Sequence, residues 1–152
     1  MIRAVAGVYI DTNVFLAAYE TVGARSDHAF WILSAIEQGE IRGVTSELTL
    51  AELLPRPLEE SNNDLVEAYK QLLNSGPNME VHPVTRETLI ASASLRAGRH
   101  GFKLPDAIHC ATALRARCSA LITDDQRMPK SIGIRIIPFG PHALQDVRSL
   151  GT

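Results

Sequence analysis

The chain has 152 residues, 45% hydrophobic and 21% charged, the balance of an ordinary globular domain with volume for its own core. Fifteen basic against 17 acidic residues give a net charge of −2, which excludes nucleic-acid binding through bulk positive charge but not a local basic rim. Twelve of the fifteen are arginine, the better residue for bidentate phosphate contacts.

No apolar run approaches the roughly 18 residues of a membrane span, and the N-terminus reads as carrying no secretory signal. Cys110 and Cys118 are the only cysteines, too few for a disulfide framework or a zinc site, so a reduced, cytoplasmic setting is expected.

In chain order, residues 5–10 read as a first buried strand. Residues 26–38 read as a helix with Phe30, Leu33 and Ile36 at helical spacing, Ser26 as N-cap and Gly39 as the stop. A second strand is expected over 41–45, then a short helix over 46–54 that Pro55 and Pro57 break. Residues 61–74 open on a capping-box pattern and place Leu65, Tyr69, Leu72 and Leu73 on one face.

A third strand over 79–84 precedes a helix over 85–100 with Leu89, Ala93 and Ala97 four apart. Residues 105–117 start a helix on Pro105 and carry the stripe Ile108, Ala111 and Leu114, extended by Cys118. Residues 120–123 and 134–139 complete five strands. The chain shows no internal repeat or low-complexity tract and reads as one domain, 1–152. Strands separated by helices imply right-handed crossovers and a mostly parallel sheet covered on both faces, an α/β fold whose working crevice lies beyond the carboxyl ends of its strands.

Acidic residues collect at those ends. Asp11 directly follows the first strand, and Asp124 and Asp125 directly follow the fourth. Each has a plain alternative as a helix cap or turn residue, but two central strands ending alike favour a crevice. Glu52 lies in an otherwise apolar helix, where a carboxylate is exposed or needs a partner. Glu47 reads as a first-turn acid favoured by the helix dipole, and Asp106 has the same alternative. If Asp11, Glu52, Asp106 and Asp125 converge, like charges about 4 Å apart cost about 1 kcal/mol in water and about 4 at an effective dielectric near 20. Protonation or a divalent cation must relieve that. Oxygen-only ligands suit Mg2+ or Mn2+ rather than zinc.

These residues resemble the PIN domain family over nearly the whole chain. Residues 9–16, with Asp11 and Asn13, are similar to its first motif, and residues 45–54, with Glu52, to its second. Residues 104–114, with Asp106, match its third closely, and residues 121–128 resemble its fourth in a register that selects Asp125 over the adjacent Asp124. The resemblance implies a three-layer α/β/α sandwich and a metal-dependent ribonuclease. At this length it implies a VapC-type toxin that cuts RNA and is silenced by a cognate antitoxin. Residues 52–58 are also similar to a subgroup of those toxins.

The expectation is therefore hydrolysis of an RNA phosphodiester by a metal-activated water. Asp11, Glu52 and Asp106 would hold the principal Mg2+ (or Mn2+), with Asp125 supporting a second ion or positioning water. Asn13 and Thr123, with Asp124 beside them, would orient these groups. Arg96, Arg99, His100 and Lys103 precede Asp106, and Arg127 and Lys130 follow Asp125; they are candidates for RNA-backbone contacts, with solvated surface as the alternative.

His109, one turn after Asp106, reads as a packing or locally hydrogen-bonded residue more readily than as a catalytic one. Cys110 and Cys118 read as packing residues, and Phe30 and Trp31 as helix-face or interface residues. A homodimer and an antitoxin groove near the N-terminal helices are further expectations. The rival readings are a non-catalytic PIN-like module binding RNA or protein, a phosphoacceptor receiver and an Asp-x-Asp phosphatase. The last two fit poorly: the third strand ends in His82, Pro83 and Val84 with no acceptor Asp after it, and Asn13 replaces the second acid of the phosphatase pair.

Overall fold

The computed structural model describes Val5 and residues 7–151. Residues 1–4 of the N-terminal stretch read for a secretory signal, and Ala6 within the expected first strand, lie outside the described residues. Gly7–Ile10 (β1), Arg42–Ser46 (β2), Met79–His82 (β3), Ala120–Thr123 (β4) and Arg135–Pro138 (β5) form one sheet ordered β3-β2-β1-β4-β5. Every pairing is parallel, with Val8 of β1 opposite both Gly43 of β2 and Ala120 of β4. The five expected strands are all present, with ends moved by a residue or two.

The helices are Thr12–Glu20 (α1), Ala24–Glu37 (α2), Glu47–Leu53 (α3), Pro55–Glu59 (α4), Asn63–Leu72 (α5), Arg86–Arg96 (α6), Leu104–Arg115 (α7) and Ala143–Arg148 (α8). Side chains alternate across each strand, so β1 feeds two cores. Val8 and Ile10 join Ile122, Ile137, Phe15, Ile32 and Val147 on one face. Tyr9 joins Val44, Leu121, Ala107, Cys110 and Ala113 on the other. This is the expected α/β/α sandwich. No helix among the described residues is long and apolar enough to cross a membrane.

Several local expectations are corrected. The sequence reading has no helix at α1, α4 or α8. α1 starts directly after Asp11 and buries Val14, Phe15, Ala17 and Ala18, so it lacks the polar face that marks an amphipathic helix. α4 begins at Pro55 and includes Pro57; in a first turn the missing N–H groups have no intrahelical partner to lose, so the two prolines start a helix as well as end one.

α2 is capped by Gly23 rather than Ser26, whose hydroxyl donates to the Ala18 carbonyl at 3.3 Å. Its core face is Ala29, Ile32, Ala35 and Ile36, leaving Phe30 exposed, and Gly39 ends it at φ +76° as expected. The N-cap of α5 is Asn62, which accepts from the Leu65 amide at 3.2 Å, rather than Ser61. α7 starts at Leu104, one residue before Pro105.

In α6 the buried residues are Thr88 and Ser92, while Leu89 and Ile90 are exposed. The buried polar pair bonds locally, Ser92 to the Leu89 carbonyl at 2.8 Å and Thr88 through its amide to the capping Thr85 hydroxyl at 3.2 Å.

Candidate active site

β1 and β4 are hydrogen-bonded neighbours that end together, which brings Asp11 beside the turn carrying Asp124 and Asp125. Asp11 is 6% exposed and serves both readings weighed for it. Its Oδ1 accepts from the Thr12 amide at 2.8 Å and caps α1. Its Oδ2 accepts from the Thr123 hydroxyl at 2.5 Å and the Asn13 amide at 3.3 Å. Asn13 also reaches back, its Oδ1 accepting from the Asp124 amide at 3.2 Å. Short polar side chains thus fix the buried carboxylate to both strand ends.

Glu52 enters from α3, which follows β2 once Ser46 has capped it through the Leu48 amide at 3.0 Å. Its side chain is 35% exposed, and Oε1 accepts from the Thr12 hydroxyl at 2.9 Å and from His109 Nε2 at 2.5 Å. Burial works to raise its pKa, but the His109 and Thr12 bonds outweigh that and hold it below the usual carboxylate value.

His109, on the buried face of α7, lies 3.8 Å from Asp11 Oδ1, and its Nδ1 meets the Tyr9 hydroxyl at 2.5 Å. Burial opposes its charged form. The Glu52 bond and the Asp11 charge prevail and raise its pKa.

Asp106 stands in the first turn of α7. Burial, then the charges of Asp125 and Asp11, push its carboxyl above the ordinary value, with His109 only partly offsetting them. Asp125 is held below the ordinary value chiefly by Arg127, which donates to it at 3.1 Å through Nε and 2.9 Å through its amide. Asp124 points elsewhere, pairing with exposed Arg25 at 2.8 Å.

Among the cations, Arg127 and Lys103 act on Asp125. Arg96 Nε donates to the Phe102 carbonyl at 2.9 Å and Arg99 Nη1 to the Leu95 carbonyl at 2.7 Å, so both brace the α6–α7 loop. Lys130 joins Asp125, Gln126, Met128 and Phe139 around a cavity of about 460 Å³ beside the acids. Cys110 and Cys118 are free, and burial pushes both thiols up to about 12, consistent with their reading as packing residues.

The donor chemistry fits a hard divalent cation: oxygen ligands, an Asp106 raised by its acidic neighbours, and a Glu52 Oε2 that takes no hydrogen bond among the described residues. The acids are nonetheless spread around the crevice. Among the described residues, no three His, Cys, Asp or Glu side chains are gathered closely enough to hold a metal ion. Glu52 is bonded through Oε1 to His109, and Asp125 to Arg127.

The sequence reading gives Tyr9 and Thr12 no role and takes His109 as a packing or locally hydrogen-bonded residue; its bonds to Glu52 and Tyr9 are of the second kind. The available signal was spacing: Tyr9 shares a strand face with Asp11 two residues on, and His109 lies one turn from Asp106.

A parallel sheet with acidic side chains at its carboxyl end defines an α/β protein with an acid-lined crevice. The sequence matches the PIN domain family model over residues 8–131, and the chain belongs to that family. No curated protein matches this sequence.

The structure is similar to a chain of a toxin–antitoxin complex from Klebsiella pneumoniae, 22% identical with a TM-score of 0.62 over 84% of this chain and 94% of that one. It is also similar to a chain of VapBC2 from Rickettsia felis bound to a DNA fragment from their promoter, 14% identical with a TM-score of 0.64 over 88% and 98%. DNA-bound VapBC from Salmonella typhimurium is 21% identical, with a TM-score of 0.60 over 88% and 98%.

Proposed function

We propose that this chain is a divalent-metal-dependent endoribonuclease, a single nuclease domain acting as the toxin of a toxin–antitoxin pair. The observation that carries this reading is Asp106: half-buried, raised by Asp125 and Asp11, and placed at the crevice of a PIN domain. Asp11, Glu52 and Asp106 would hold Mg2+ or Mn2+, with Asp125 supporting a second ion or a water. When bound, such an ion supplies an activated water and neutralises charge on the phosphate. Asn13 and Thr123 keep Asp11 oriented, and Lys103 and Arg127 offer positive charge to an approaching phosphate.

The test is incubation of the purified protein with RNA, with Mg2+ or Mn2+ and with chelator. Cleavage that needs the metal and disappears in Asp11→Asn and Asp106→Asn supports the reading; full activity in Asp11→Asn overturns it. One observation favours a second reading, a non-catalytic RNA- or protein-binding module: the acids are not gathered at one point. RNA binding without metal-dependent cleavage would select it.

An antitoxin partner is supported by similarity to chains from toxin–antitoxin complexes and by a groove of about 480 Å³ lined by Tyr19, Phe30, Leu33, Leu72 and Met79. The exposed Leu89, Ile90 and Leu104 support a homodimer. The two free cysteines support a reducing, cytoplasmic setting.

A further inference from the structure

We propose that His109, set by Tyr9, is the positioning residue for Glu52: the imidazole holds one carboxylate oxygen and leaves the other available to a cation. The inference deepens the reading above and rests on it. Glu52 reaches the crevice from α3 on a flexible side chain 35% open to solvent. Unanchored, such a side chain spreads over many rotamers. Here a single oxygen, Oε1, is held twice, by His109 Nε2 at 2.5 Å and by Thr12 Oγ1 at 2.9 Å.

The His109 bond fixes where the imidazole proton sits. A carboxylate only accepts, so Nε2 must carry hydrogen. In the neutral ring Nδ1 must then accept, and the group facing it is the fully buried Tyr9 hydroxyl, 2.5 Å away. In that neutral form Tyr9 donates to Nδ1 and selects the tautomer that Glu52 needs, whereas in the charged ring both nitrogens donate. The two rings meet edge-on, with centroids 5.6 Å apart at 63°. Three elements converge on the chain of contacts: β1 through Tyr9, α7 through His109 and α3 through Glu52. Because Asp11 directly follows β1, one strand places both an acid and the group that aligns its neighbour.

Two substitutions of similar polarity separate this role from plain core packing. In His109→Gln the amide nitrogen falls near the Nε2 position and can still donate to Glu52; in His109→Asn it falls near Nδ1 and can meet only Tyr9. Mn2+ affinity of the RNA-free protein is measured by isothermal titration calorimetry. His109→Asn is expected to lose about 10–100-fold and His109→Gln to recover most of that loss.

Tyr9→Phe removes one hydroxyl and keeps the ring, so it carries the test should His109→Asn fail to fold. It is expected to weaken Mn2+ binding, and nitrogen-15 NMR should show a single Nε2–H tautomer in the wild type and its loss in this variant. Wild-type affinity in both His109→Asn and Tyr9→Phe, or an Nδ1–H tautomer in the wild type, overturns the inference while the nuclease reading stands. Wild-type protein that neither binds Mn2+ nor cleaves RNA overturns the nuclease reading, and the inference with it.

Discussion

The Thr123 hydroxyl donates to Asp11 Oδ2 at 2.5 Å and ties the end of β4 to the end of β1. The same oxygen accepts from the Asp125 amide at 3.0 Å and from Asn13 Nδ2 at 3.3 Å, so its donor and both acceptor positions are in use. Thr123→Val preserves shape and removes all three bonds. It is expected to cost about 1.5–3 kcal/mol, the range for a hydrogen bond to a charged group, measured by urea unfolding. RNA cleavage should fall about tenfold or more, and Thr123→Ser should restore both. An unchanged unfolding midpoint in the valine variant would show that Asp11 does not depend on this hydroxyl.

Asp124 and Asp125 are adjacent in sequence and separate in role. Asp124 pairs with Arg25 where both side chains are exposed, an arrangement worth about 0–1 kcal/mol. Asp125 sends its charge onto Asp106 and holds Arg127 at the rim. Asp125→Asn is expected to reduce metal-dependent RNA cleavage about 10–100-fold, and Asp124→Asn about twofold or less. Single-turnover rates on one RNA substrate rank the pair, and the reverse order would make Asp124 the fourth acid.

Gly43 of β2 packs closely against α2. A Cβ there would stand 2.7 Å from Ile36 Cδ1 on α2 and 3.1 Å from Met79 Sδ on β3. Gly43→Val is expected to destabilise by about 1–3 kcal/mol through overpacking, read as a lower melting temperature. Because Gly43 lies at the far end of β2 from the acids, metal affinity in the folded variant should stay unchanged.

The strands were legible because buried parallel strands write themselves as short β-branched runs between turns. α1 was hidden by its burial, since a helix covered on most sides has no polar phase to betray it. α6 misleads in the opposite sense: Leu89 and Ile90 lie outside and Thr88 and Ser92 inside, because short hydroxyls satisfied within their own helix, Ser92 by the Leu89 carbonyl and Thr88 by the capping Thr85 hydroxyl, can be buried cheaply.

Asp11, Glu52 and Asp125 can be singled out because carboxylates at strand ends and in apolar helices are out of place; Asp106, an ordinary first-turn acid, is selected by its place in the third motif of the family it resembles. Thr12, His109 and Tyr9 cannot be, since each is an ordinary residue for its position until the fold brings α3, α7 and β1 together.

Burial and like-charged neighbours oppose the charge on Asp106. Burial, Asp125 and Asp11 raise its pKa above the unfolded value of about 3.9. Between the unfolded and folded values the native state therefore binds more protons than the unfolded chain. Stability of the metal-free protein falls as pH rises through that window, and the cost is fully present above it. Asp106→Asn removes the charge, so the metal-free variant should melt above the wild type at pH 7. That advantage should vanish as pH drops below the unfolded value, where the wild-type carboxyl is protonated in both states. Mn2+ should reverse the order at pH 7: a bound ion stabilises the wild type by about 2.7 kcal/mol at a hundred times its Kd, and the variant should gain far less. Melting curves across pH with and without Mn2+ check both signs, and a metal-free variant that melts below the wild type at pH 7 would mean that Asp106 is stabilised by its surroundings rather than repelled.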